Sequence, residues 1–81
     1  PYPNPFNPET TLRFTAAAGG HARLDVYGVS GEHVTTLFHG EVAGGEDRAV
    51  RFDGSRLATG IYVLVLTRGP HRAVQRMVLT R

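Results

Sequence analysis

The chain has no cysteine, no tryptophan and no lysine. Without cysteine there is neither a disulfide framework nor a thiolate metal site, and the redox compartment is not legible from cysteine usage. Without lysine, all nine basic residues are arginine, at positions 13, 23, 48, 51, 56, 68, 72, 76 and 81. They are interleaved with seven acids to a formal net charge of +2, the pattern of solvated strand faces. The few aromatics fall mostly on the apolar side of their strands, so they build no stacking platform and nucleic acid is not an expected partner. Long apolar runs are missing too. The longest, Ile61-Tyr62-Val63-Leu64-Val65-Leu66, is far short of the roughly 20 residues that span a bilayer, so no membrane span is expected. Neither a signal peptide nor an initiator Met opens the chain. We expect residues 1–81 to be a single domain excised from a larger secreted protein. A domain of this length buries only about 60 to 65% of its unfolded surface, so its core must be simple.

What is present begins with proline. Pro1, Pro3, Pro5 and Pro8 fix their own φ and push Tyr2, Asn4 and Asn7 towards extended conformations. Residues 1–9 therefore read as a stiff lead-in, with Tyr2 and Phe6 as apolar anchors and asparagines suited to turns. A strand pattern follows at once. Residues 11–15 alternate, with Leu12 and Phe14 on one face, and residues 23–27 place Leu24 and Val26 inside and Arg23 and Asp25 outside. A third strand covers residues 34–39 with an unsettled phase, because Val34 and Leu37 share a face only through a bulge. Gly40 and Gly44-Gly45 bracket the next connection. Residues 47–53 direct Val50 and Phe52 inward, and Asp53-Gly54-Ser55-Arg56 is a turn by composition. Residues 61–67 are apolar on both faces, the mark of a central strand covered on each side. Arg68-Gly69-Pro70-His71 then turns the chain so that residues 72–80 pair back. About seven short strands joined by glycine-rich turns, with no helix, read as an all-β, immunoglobulin-like antiparallel β-sandwich without its disulfide.

Catalytic chemistry finds little material. The serines are Ser30 and Ser55 alone, and Gly28-Val29-Ser30-Gly31 lacks the second elbow glycine, with Glu32 in its place. The histidines at 21, 33, 39 and 71 show no zinc-site spacing, and no acid cluster offers the oxygens calcium needs. Paired carboxylates for glycoside hydrolysis require a cleft for which so small a domain has no room. We expect no enzyme, no cofactor and no metal.

Four stretches, in order, carry a resemblance. They are Tyr2-Pro3-Asn4-Pro5-Phe6-Asn7-Pro8 with the strand after it; Val26-Tyr27-Gly28-Val29-Ser30-Gly31-Glu32-His33-Val34; Leu57-Ala58-Thr59-Gly60-Ile61-Tyr62; and Arg76-Met77-Val78-Leu79-Thr80-Arg81. Together they resemble the type A C-terminal sorting domain of the bacterial type IX secretion system, over the full length. The resemblance implies a non-catalytic address on a secreted or cell-surface protein. Its cargo would cross the inner membrane by general export, be recognised at the outer membrane by the type IX machinery, and be released or attached to surface lipopolysaccharide by a sortase-like peptidase. The sorting signal carries over to Arg76, Met77, Val78, Leu79 and Arg81. Tyr2, Asn4, Pro5, Phe6, Asn7, Pro8, Gly31, Gly60 and Tyr62 carry over as structural motif positions, with Tyr62 packing inward. Gly28 stands where the family often has an acid or amide, and Arg81 replaces the lysine usual near the end. The isolated domain is expected to be a monomer. Two other readings share the fold: a structural module like that of flagellar hook-capping proteins, and a carbohydrate-binding or adhesion module of a secreted enzyme.

Overall fold

A computed structural model describes residues 9–80; the opening motif, Tyr2 to Pro8, and Arg81 lie outside the described residues. Six strands are present among the described residues: β1 (Glu9–Thr15), β2 (Gly20–Gly28), β3 (His33–Val42), β4 (Asp47–Asp53), β5 (Gly60–Arg68) and β6 (His71–Leu79). They form two antiparallel sheets, a four-stranded one in the order β3-β2-β5-β6 and a two-stranded ribbon of β1 and β4. The architecture is the all-β, sandwich-like one expected, without a helix among the described residues.

Alternation decides which side chains meet. Leu24 and Val26 of β2, Leu64 of β5, Met77 and Leu79 of β6 and Phe52 of β4 are buried in one cluster, with Leu12 and Phe14 of β1 packed against it. Burial of each such side chain is worth about 1.5 to 3 kcal/mol, so this cluster is the main source of stability. A smaller cluster of Ala16, Ala22 and Val42 extends it, and there the Ala16 carbonyl accepts a 2.6 Å bond from the Gly45 N–H. The ribbon closes along its own length. The Thr15 hydroxyl bonds to Asp47 at one end and Arg51 bonds to Glu9 at the other. Arg48 of β4 lies over the Phe38 ring of β3, 4.8 Å from its centroid, which ties the ribbon to the larger sheet.

The undecided phase of the third strand has a physical resolution. Leu24 faces Phe38 while Asp25 faces Thr36, so Leu37 is an extra residue; Val26 faces Thr35 while Tyr27 faces His33, so Val34 is another. Two bulges in one strand thus bring Val34 and Leu37 to the same core. Strand β3 also runs through Gly40, which pairs with Ala22, so Gly40 does not bracket the connection as expected. The connection lies beyond Val42, because the small Ala22 and Gly40 pair fits inside the sheet.

Two further expectations are corrected. Asp25 is buried, not solvated: only 4% of its surface is exposed although it lies on the face of β2 away from the core. Strand β5 is central in its sheet, but among the described residues the ribbon covers one face alone. On the other face Val65 is buried while Ile61 and the neighbouring Val74 are 41% and 58% exposed.

Candidate recognition surface

Strand β6 is placed by a tight hairpin. Arg68 pairs with His71 across Gly69-Pro70, and Gly69 at φ +57° followed by Pro70 supplies the signs that a type II′ turn requires. Register then pairs Tyr62 with Met77, Gly60 with Leu79, Val63 with Arg76 and Ile61 with Val78. Met77 and Leu79 point into the core, 2% and 0% exposed. Arg76 and Val78 lie on the opposite face of the sheet, Arg76 exposed and Val78 half-buried. The strand thus separates its residues by role, one alternate set anchoring it and the other turned outward beside Ile61, Val63 and Val74.

Motif positions within the described residues have local reasons. Gly31, at φ +94°, donates to the Gly28 carbonyl at 3.0 Å, and the Gly28 N–H donates to the Glu32 carbonyl at 2.8 Å. A side chain at Gly28 would fall on the Glu32 carboxylate, so the acid missing at position 28 has its place taken by the acid at 32. Tyr62 packs against the core, and its hydroxyl donates to the Ala58 carbonyl at 2.6 Å. That bond to backbone just upstream resembles the tyrosine corner of β-sandwiches.

A polar cluster on the outer face of β2 and β3 was not apparent in the sequence. Arg23 Nε donates to Asp25 Oδ2 at 2.8 Å, and the Thr36 hydroxyl donates to Asp25 Oδ1 at 2.6 Å. His33 Nε2 lies 3.0 Å from the same Oδ1 and 3.1 Å from the Thr36 hydroxyl. Burial opposes ionisation of Asp25, but the bonds from Arg23, Thr36 and His33 outweigh it and lower its pKa to about 2. The pairing of Arg23 with Asp25 two residues on was visible; the contribution of His33 and Thr36 depended on the bulges. Every partner closes on one carboxylate, so the cluster is a satisfied knot within the sheet. Among the described residues no group of three or more His, Asp or Glu side chains is arranged to hold a metal ion. No helix among them is long and apolar enough to cross a membrane.

A family model described as a secretion system C-terminal sorting domain matches residues 1–80. The chain belongs to that family. No curated protein and no solved structure matches it. As a sorting domain of the type IX system, it is a signal for secretion across the outer membrane to the cell surface or exterior, and it engages the type IX machinery. Domains of this family are typically non-catalytic. Of the sorting-signal positions, Met77 and Leu79 lie in the domain's core, Arg76 and Val78 on its outer face, and Arg81 outside the described residues.

Proposed function

We propose that residues 1–81 act as one non-catalytic sorting unit of a larger secreted protein, read by the type IX machinery through the outward set of strand β6. In this reading Arg76 and Val78, continued by Arg81, are the recognised residues, while Met77 and Leu79 hold the strand where it can be read. The observation that carries it is the division of β6 into two fully buried anchors and a basic and apolar outer strip beside Ile61 and Val74. A flat apolar strip with positive charge suits capture by a complementary surface more than it suits bond chemistry. After recognition a sortase-like peptidase releases the cargo or attaches it to surface lipopolysaccharide. The domain itself remains a monomer.

The test is a reporter carrying a general export signal and ending in residues 1–81, expressed in a host with a working type IX apparatus. A fusion cut at Gln75 is uninformative, because it removes two core residues with the signal. The useful variant is Arg76→Glu with Val78→Glu, which spares the core anchors. We expect the parent fusion at the surface or in the medium and the variant in the periplasm, with both domains melting cooperatively. Equal secretion of both would overturn the reading of β6. Retention of a folded parent fusion would overturn the sorting function and favour a structural module.

A further inference from the structure

A ribbon of two strands is too narrow for a sheet of four, and the uncovered part is an open groove between β1 and the β5-β6 hairpin. One lobe of about 370 Å³ lies between Leu12 and Phe14 of β1 and Leu24, Leu64, Leu66 and Ala73 of the larger sheet. A second of about 250 Å³ continues past Phe14 to Ala16, Ala17 and Ala22. The shortfall is visible within β6. Ala73 and Gln75 occupy the same face as the buried Met77 and Leu79, yet both are exposed. Among the described residues β1 pairs with β4 alone, so its other edge presents backbone N–H and C=O groups along the groove.

We infer that this groove is a docking site for an extended segment of another protein with alternating apolar and acidic residues, added as a strand to the open edge of β1. Strand addition supplies main-chain bonds, and the two faces of the added strand set its sequence. Its inward side chains would lie on the leucine and alanine floor. Its outward ones would stand beside Thr11, Arg13 and Thr15, the outward residues of β1. The rim is basic: Arg13, Arg68, His71 and Arg72 line the two lobes, and among the described residues no acid does. Acidic outward residues complement that rim. A second copy of this chain is the poorer occupant, because pairing one β1 with another would set the two basic rims together. The groove is separate from the outer strip of β6 and stands whether or not that strip is read.

The probe is a synthetic seven-residue peptide alternating valine and glutamate, titrated into the 81-residue chain by amide NMR, with its valine and lysine counterpart as control. We expect shifts at residues 11–17 and 73–75, slowed hydrogen exchange at alternate amides of β1, and no response to the lysine peptide. Arg13→Glu, at an exposed position, should weaken the acidic peptide about fivefold and admit the lysine peptide. Ala73→Tyr, which fills the larger lobe, should remove binding. The inference is overturned by no binding, by shifts confined to the outer face of β6, or by equal response to both peptides. Concentration-dependent protection of β1 without peptide would also overturn it, in favour of a second copy.

Discussion

Asp25 shows how one residue departs from the alternation around it and what that departure costs. It occupies an outward phase of β2, where a carboxylate is ordinarily solvated, but the register of β3 closes Thr36 and His33 over it and Arg23 reaches it along its own strand. Its pKa is about 2 in the folded domain, against about 3.9 in an unfolded chain. A depressed folded value means that the stabilisation is fully present above the unfolded pKa and is lost as pH falls through the folded one. We therefore expect stability to decline between about pH 4 and pH 2, with roughly 2 kcal/mol of the decline belonging to this carboxylate. Asp25→Asn keeps the shape and removes the charge, so it should destabilise the domain at neutral pH and flatten that part of the profile. Urea titrations at half-unit pH steps check this. An unchanged slope in the variant would place the acid sensitivity elsewhere.

At the scale of elements, what was legible in the sequence was the alternation that regular strands impose. Residues 47–53 coincide with β4, Leu24 and Val26 are core residues, and the turn at Asp53 is closed by the Ser55 N–H bonding to the Asp53 carboxylate at 2.9 Å. What was not legible depended on a neighbour. The bulges of β3 exist because β2 is regular opposite them, and the burial of Asp25 exists because the bulges turn His33 and Thr36 towards it. The partial cover over β5 depends on the width of the opposing ribbon, a property of no single segment. The candidate site was legible as a location, strand β6, but its division into anchors and an outward strip required the pairing with β5. That division predicts unequal responses along one strand. Met77→Ala, at a buried position, should cost about 2 to 5 kcal/mol, whereas Val74→Thr, at an exposed one, should stay within about 0.5 kcal/mol. Denaturant midpoints of the two variants check the assignment, and similar losses from both would mean that the outer face is covered as well as the inner.

At the scale of the whole molecule, the pairings differ greatly in the chain they must close. β5 and β6 are joined across Gly69-Pro70 and β2 and β3 across a short turn, but β1 pairs with β4 through partners as far apart as Glu9 and Asp53. Longer closures cost more entropy before their contacts offset it. The ribbon also rests on fewer core side chains of its own, because Phe52 is its one fully buried large residue among those described. The two hairpins should therefore form and join through β2 and β5 before the ribbon docks across them. Folding in the millisecond to second range follows from so many distant pairings. Leu24→Ala and Leu64→Ala, in the central pair of strands, should slow folding with φ-values of about 0.5 or more. Leu12→Ala, in the ribbon, should chiefly accelerate unfolding with a φ-value below about 0.3. Stopped-flow chevrons of the three variants distinguish this order from its reverse: a high φ-value at Leu12 with low values at Leu24 and Leu64 would make the ribbon the nucleus and the four-stranded sheet the part that forms on it.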